Sequence, residues 1–417
     1  MSRAPGAAFL ALVAAACLAG YVYAYGSGRA GTPIRSDAYS YFVYLPSWLI
    51  YHDASLQAVA DDCCGGEFPD FSAIIRWRGT MRWVNAHPIG EAVMIAPFFI
   101  VAHAFTRWSN LPPNGFSLYY QHAAGIAGLA YVLLGLSFLA RLLGRHFTQG
   151  VVLATLAALL TGTSLYHYAT FDSTWSHAFA FALLAAFLER LDVRRADHPG
   201  DEVVLGAISG LLILVRHTHA LVPLCFLGVE MVRTRRVPYL ATLVAGLIVA
   251  PQLWLYHRAT NHWLISAYGS LGFTFASPHV IEVLFGVRKG LFFYAPLLIA
   301  AVAGVRWLPP RFHPWRLPAA LLLATHTYLI ASWWDWQFGA SYGHRGFVDV
   351  YPLFAIGLAS TFSRLSLRPA AMRIAGALVV ALCALSLFQM LQYWHGVLPM
   401  SDTTLAQYRT IFLRGWW

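Results

Sequence analysis

Long apolar runs joined by short polar segments dominate the chain. The first covers about 6–25. Others follow at about 118–143, 149–168, 174–189, 202–215, 219–232, 237–256, 291–305, 317–332, 347–362 and 374–394, several of them long enough to cross a hydrocarbon layer. The pattern predicts an all-α polytopic membrane protein of about 11 transmembrane helices. One segment breaks the rhythm, the long stretch 26–117. It opens with Arg35-Ser36-Asp37-Ala38-Tyr39-Ser40-Tyr41-Phe42-Val43-Tyr44-Leu45-Pro46. Ser36 is placed to cap a short helix, and Phe42, Leu45, Trp48 and Leu49 recur at the spacing of a helix lying in the membrane interface. Further on come a polar patch, Asp61 to Gly66, and a basic-aromatic stretch, Arg76-Trp77-Arg78 to Arg82-Trp83. The apolar piece Ile89 to Trp108 closes the segment. It contains Glu91 and Pro97, and a spanning assignment would invert every later loop, so it reads as interfacial.

Basic residues then alternate with the runs. Arg3, Arg141 with Arg145, Arg190 with Arg194 and Arg195, Arg233 with Arg235 and Arg236, Arg306 with Arg311 and Arg316, and Arg364 with Arg368 and Arg373 mark the inner side. On that topology 26–117 is the first extracytoplasmic loop and 395–417 a short extracytoplasmic tail of a single transmembrane domain, 1–417. Asp37, Asp172, Glu282, Asp335 and Asp349 fall outside, as do Arg216, Arg288, Lys289 and Arg345. Ionisable groups near the membrane plane are costly unless paired or facing water, so these loops predict one outward-facing polar cavity.

Composition agrees. Of 417 residues, 59% are hydrophobic and 11% charged, against about 25% charged in soluble domains; mean hydropathy is +0.58. All basic residues but Lys289 are arginine, which with the abundant Ala, Leu and Gly points to a high-GC bacterial genome. The net charge of +10 does not indicate nucleic acid, because the arginines are dispersed between apolar runs. Cys17-Leu18-Ala19-Gly20 is followed by more apolar residues, so the first run reads as a retained helix rather than a cleaved signal. Cys17, Cys225 and Cys383 lie in apolar runs as packing residues. For the adjacent Cys63 and Cys64 a vicinal disulfide, free thiols and an interchain bond all stay open.

Three stretches carry a resemblance: Ser36-Asp37-Ala38-Tyr39-Ser40-Tyr41; His87-Pro88-Ile89-Gly90-Glu91 running into Ala96-Pro97-Phe98-Phe99; and Phe171-Asp172-Ser173-Thr174-Trp175-Ser176-His177. Together with the long first loop, they make the chain resemble the GT-C superfamily of integral-membrane glycosyltransferases, in particular aminoarabinose-transferase-like and protein-mannosyltransferase-like members. The resemblance implies a polyprenyl-phosphate sugar donor, a lipid or glycan acceptor, and inverting transfer at the outer face of a bacterial inner membrane, with membrane lipids as surroundings. It implies Asp37 as general base, with Asp172 as the runner-up. Where aminoarabinose-transferase-like members carry a Lys before the Pro of the second stretch, this chain has His87. Phosphate binding then falls to Arg78, Arg82 or the distal loops. A divalent metal lacks the support of an Asp-X-Asp motif, so no cofactor is assigned.

The chemistry explains the residue types. A departing lipid phosphate is stabilised by cations, and Arg binds phosphate oxygens in pairs; an attacking hydroxyl must lose its proton to a positioned carboxylate. Candidate substrate contacts are Arg35, Tyr41, His87 and His177 in the three stretches. Arg288 and Lys289 in Gly286–Phe293 are either a topological flank or a phosphate contact. Trp334, Asp335, Tyr342 and Arg345 lie in Trp333–Arg345, which is either an interfacial belt or an aromatic platform for a sugar ring. Arg216 and His217, with His219, form either a buried hydrogen-bonded cluster or a wall of the cavity. Two other function classes remain: an O-antigen-type polymerase or ligase, whose large outer loop usually comes late in the chain, and a lipid-linked-sugar transporter, expected to show internal repeats and charges deep in several spans.

Overall fold

The computed structural model describes residues 7–195, 198–265 and 271–416. Arg3 lies outside the described residues. α1 (Ala7–Gly26) leads into the first loop, where α2 (Asp37–Phe42) and α3 (Tyr44–Leu49) stand in place of one continuous interfacial helix. Pro46 has no N–H to offer the Phe42 carbonyl, which interrupts the helix there. Ser36 does not cap α2: its φ is 49° and its side chain makes no capping bond. Phe42 and Leu45 face protein rather than lipid, and the Phe42 ring lies 5.6 Å from that of Phe99.

α4 (Gln57–Cys64) ends at a Cys63–Cys64 disulfide. A short antiparallel hairpin follows, β1 (Ile74–Arg76) with β2 (Trp83–Asn85), in register Ile75 to Val84. α5 (Gly90–Arg107) is the helix read as interfacial.

The remaining runs become α6 (Leu118–Gly144), α7 (Gln149–Thr161), α8 (Leu165–Thr170), α9 (Ser176–Val193), α10 (Pro199–Val215), α11 (Leu221–Thr234), α12 (Tyr239–Thr260), α13 (Val280–Phe285), α14 (Leu291–Tyr294), α15 (Leu297–Gly304), α16 (Arg316–Ser332), α17 (Tyr351–Ser366), α18 (Pro369–Trp394) and α19 (Leu405–Ile411). Two expected helices are broken. The run 149–168 divides at Gly162 and Thr163, where the Thr163 hydroxyl accepts from the Leu165 N–H and starts a new turn. The run 291–305 divides at Pro296, between α14 and α15.

The protein is an all-α polytopic membrane protein. Among the described residues five helical stretches are long and apolar enough to cross a membrane: Ala8–Gly26, Leu118–Gly144, Tyr239–Thr260, Arg345–Ser366 and Pro369–Trp394. α9 forms the centre, buried on every side from Ser176 to Leu188, as expected of a helix that is apolar all round. α6 packs against it so closely that a Cβ on Gly135 would lie 3.0 Å from the Ala182 Cα, the small-residue contact by which membrane helices approach. α12 and α18 instead expose Leu243, Leu247, Ile374, Leu378 and Val380, a lipid-facing surface.

Charge is sorted between the two ends of α9. At its C-terminal end, Arg145 and Arg311 lie 2.7 and 2.9 Å from Asp192, and Arg190 pairs with Asp201. The sequence assigns these arginines to one side of the membrane. The other end of α9, about 27 Å away at 1.5 Å per residue, carries the acidic residues considered next.

Candidate functional site

Local hydrogen bonds assemble the first loop into one unit. The Asn85 amide donates to the Ser40 carbonyl at 2.6 Å and accepts from the His87 N–H at 3.0 Å. The Ser40 hydroxyl accepts from the Ala73 N–H at 2.9 Å, and the Tyr44 hydroxyl donates to the His87 carbonyl at 2.8 Å. α2 is thereby fixed against the hairpin and the His87-Pro88 segment, with the Tyr41 and His87 rings 4.2 Å apart. Asp37 opens α2, its side chain one third exposed.

The distal loops bring cations to this carboxylate. Arg345 lies 3.1 Å from it. The same guanidinium sits over Trp175 at 4.3 Å and Phe338 at 5.6 Å, and Arg216 reaches Phe338 at 5.8 Å. Phe338 is thus an aromatic spacer shared by two cations. Arg216 lies 3.4 Å from the His177 ring and 3.8 Å from Asp349. Asp349, almost fully buried, is 2.7 Å from His177 Nδ1 and 3.1 Å from His219 Nε2.

Asp37 therefore feels opposing influences. Burial pushes its carboxyl up, but Arg345 first, then His87, His177 and Arg216, outweigh this and hold it below the usual carboxylate range. It is ionised at neutral pH. Burial pushes His87 down to about 4, with Asp37 pulling up and Arg216 and Arg345 pushing further down. His87 is neutral at pH 7 and offers an N–H rather than a charge. Its Nδ1 has no partner among the described residues, and neither has the Trp175 indole N–H. Asp335 is raised, mainly by burial.

Asp172 anchors a second cluster. Arg35 approaches it at 2.5 Å and His167 Nε2 at 2.8 Å. The Trp394 indole donates to His167 Nδ1 at 2.8 Å, so the hydrogen-bond network assigns the imidazole proton to Nε2, facing Asp172. Arg35 also donates to the Phe171 carbonyl at 3.0 Å and the Thr32 carbonyl at 2.9 Å. Burial raises the Asp172 carboxyl, but Arg35 and His167 overcome it and the net shift is downward.

The structure thus brings together Asp37, Tyr41, His87, His177, Arg216 and Arg345, with Arg35 and Asp172 as a neighbouring pair. The other candidates lie apart. Arg78 and Arg82 are exposed on the hairpin, and Arg82 donates to the Arg258 carbonyl at the end of α12 at 2.6 Å. His217 contacts the Tyr256 hydroxyl at 3.0 Å. Arg288 pairs with Asp402 at 3.5 Å. Lys289 is buried and spends its ammonium on the Ser341 and Met400 carbonyls, fastening the Trp333–Arg345 loop to the C-terminal segment. Tyr342 is fully buried and donates to the Ser386 carbonyl at 2.6 Å. Trp334 is half exposed beside Trp333. Sequence reading placed Asp349 on the outer side and His219 in a cluster or cavity wall without pairing them, passed over His167, and treated Glu91 only as a mark against spanning. Each is a polar group in an apolar surrounding, which is the signal that was available.

No family model matches the chain, and a search of curated proteins found no match. A solved structure does match. The fold is the GT-C fold of integral-membrane proteins. It is similar to that of ArnT from Cupriavidus metallidurans in the apo state, with a TM-score of 0.56, 16% sequence identity, and coverage of 95% of this chain and 66% of that one. The chain thus spans just under two thirds of its neighbour's length.

Proposed function

We propose that this protein is a membrane glycosyltransferase, one domain over 1–417, acting at the outer face of a bacterial inner membrane. It moves a sugar from a polyprenyl-phosphate donor to a hydroxyl of a lipid or glycan acceptor. The observation that carries the reading is the partly open Asp37–Arg345 pair, 3.1 Å apart, walled by Arg216, His87 and His177. A lone structural ion pair needs no second cation; a departing lipid phosphate does.

In this mechanism Asp37 accepts the proton of the acceptor hydroxyl as its oxygen forms a bond to the anomeric carbon. The bond from that carbon to the phosphate oxygen breaks on the opposite face, so the configuration inverts. The electron pair stays on the phosphate, where Arg345 and Arg216 stabilise it. Arg345 has a second effect. While paired with Asp37 it lowers that carboxylate's basicity; as the guanidinium turns to the arriving phosphate, Asp37 becomes a stronger base. Donor binding and base activation are then coupled through one residue. Asp172 holds Arg35 and His167 and keeps the floor of the site rigid.

Purified protein offered a panel of polyprenyl-phosphate sugars, with membrane lipid extract as acceptor, is expected to release polyprenyl phosphate and glycosylate a lipid. Release of neither product with any donor would refute the reading.

A further inference from the structure

Phe338 holds a backbone conformation that its residue type avoids. Its φ is 55°, in the left-handed region, and Gly339 follows at 56°. Glycine takes that region freely, whereas a bulky side chain there is strained and persists only where its surroundings over-determine it. They do so here. The Phe338 N–H donates to the Asp335 carbonyl at 2.9 Å, and His344 Nε2 lies 2.9 Å from the Trp336 carbonyl. Lys289 ties the Ser341 carbonyl to that of Met400. The Phe338 ring lies against Gly346, where a Cβ would meet it at 2.7 Å, and the His344 ring stands across it at 5.5 Å. Gly346 directly follows Arg345, so the missing side chain there lets the ring reach the site.

The ring is partly buried and lies within cation–π reach of two guanidiniums, Arg345 at 5.6 Å and Arg216 at 5.8 Å. Each cation has a carboxylate of its own. Asp37 lies 3.1 Å from Arg345, and Asp349 lies 3.8 Å from Arg216. Like charges brought together repel, and something between them must offset that. A third carboxylate would do so, but it would also repel an arriving phosphate. A ring face attracts cations through its quadrupole and carries no net charge. Both guanidiniums therefore stay fully charged toward a phosphate.

We propose that Phe338 is a positioning residue for the donor phosphate: its ring, fixed on a strained turn, holds Arg216 and Arg345 together as a two-cation clamp without neutralising either. This rests on the glycosyltransferase reading above and gives the phosphate end of that site a third member. Phe338 touches no reacting atom and acts through the two arginines. The strain marks the position. Glycine would make the same turn without strain, as Gly339 does, so what the strained backbone supports is the ring. Leucine would fill much of the same space, so packing alone does not call for an aromatic side chain.

The test measures binding of undecaprenyl phosphate to full-length protein in detergent, with undecaprenol, the same lipid without its phosphate, as the control. Phe338→Leu retains most of the bulk and loses the quadrupole. It is expected to weaken undecaprenyl phosphate by about 5- to 30-fold and to leave undecaprenol within about twofold of wild type. Phe338→Tyr restores the ring and should restore binding of the phosphate lipid. A purely structural role would move both lipids together. Gly346→Ala, which leaves Phe338 in place and pushes its ring aside, should weaken the phosphate lipid in the same direction. Wild-type affinity for undecaprenyl phosphate in Phe338→Leu or in Gly346→Ala overturns the inference. So does an equal loss of undecaprenol, or a Phe338→Tyr as weak as Phe338→Leu. The two proposals can fail separately. Sugar transfer by a wild type whose phosphate affinity Phe338→Leu leaves unchanged removes Phe338 and keeps the glycosyltransferase reading. A phosphate-selective loss in Phe338→Leu without transfer from any donor refutes the reaction and leaves the clamp standing.

Discussion

Asp37 and Asp172 present the same carboxylate on the same side of the helical bundle, and the structure treats them differently. Asp172 is 4% exposed and is gripped by Arg35 at 2.5 Å and His167 at 2.8 Å, with His167 itself held by Trp394. Asp37 is 34% exposed and, among the described residues, has one ion-pair partner, Arg345 at 3.1 Å. Both are shifted below the usual carboxylate range, each by arginine first and histidine next against an opposing effect of burial. A lowered pKa therefore does not distinguish them. What differs is how many of their lone pairs are already used. A carboxylate whose oxygens face fixed partners holds structure together, whereas one with an open side and a movable partner can take a proton from something that arrives.

The comparison breaks most sharply under substitution by the amide. Asp37→Asn keeps size and shape but cannot accept a proton, so turnover is expected to fall by about 100- to 10,000-fold, with the thermal transition in detergent lowered less than by Asp172→Asn because the Asp37–Arg345 pair is partly open. Asp172→Asn should do the reverse. It leaves Arg35, a quarter exposed, without its counter-charge, a loss in stability below the about 3–5 kcal/mol of a fully buried pair, while protein that remains folded turns over within a few-fold of wild type. Thermal unfolding and turnover per folded molecule, measured on both variants side by side, check this. A stable but inactive Asp172→Asn beside an active Asp37→Asn would exchange their roles.

Much of the contrast was legible in the chain, and the rest was hidden for physical reasons. Helix positions follow from apolar runs, and the breaks at Pro46 and Pro296 follow from a missing N–H, a local property. Asp37, Arg216 and Arg345 could be placed on one side because basic clusters alternate along the chain. Side-chain direction could not. Lys289 and Tyr342 have the residue types of substrate contacts, yet both are turned inward and bonded to backbone carbonyls. The pairing of Asp349 with His177 and His219 joins three distant segments and has no local signature. Ser36 looked like a cap on residue type alone; its positive φ removes it from that role.

A smaller effect is expected at the cation. Arg345→Ala removes a charge-assisted contact to the donor phosphate, about 1.5–3 kcal/mol or about 10- to 150-fold in donor affinity. Arg35→Ala should leave donor affinity nearly unchanged and lower stability, because Arg35 belongs to Asp172. Donor binding measured by displacement of a fluorescent polyprenyl phosphate separates the two. Equal loss in both would merge the two carboxylates into one site.

The smallest effect sharpens the comparison most, because it separates the carboxylates by pH. Asp37 is lowered in the folded protein, chiefly by Arg345 acting against burial. A lowered folded pKa means that the ion pair contributes fully above the ordinary Asp value of about 3.9 and is lost as pH falls through the still lower folded value. In wild type, kcat/KM should therefore be flat with respect to Asp37 from pH 7 down to about 5, the limb appearing only at more acid pH. Removing the charge with Arg345→Gln removes the main downward influence and leaves burial. The acid limb of kcat/KM must then move up, toward neutral pH, even though overall activity is reduced. Arg35→Gln should shift the acid limb of unfolding, where Asp172 protonates, and leave the kcat/KM limb where it was. A pH–rate profile for each variant beside a pH–stability profile checks both halves. If Arg345→Gln leaves the kinetic limb fixed while Arg35→Gln moves it, the proton acceptor is Asp172, and the open carboxylate at Asp37 has another task.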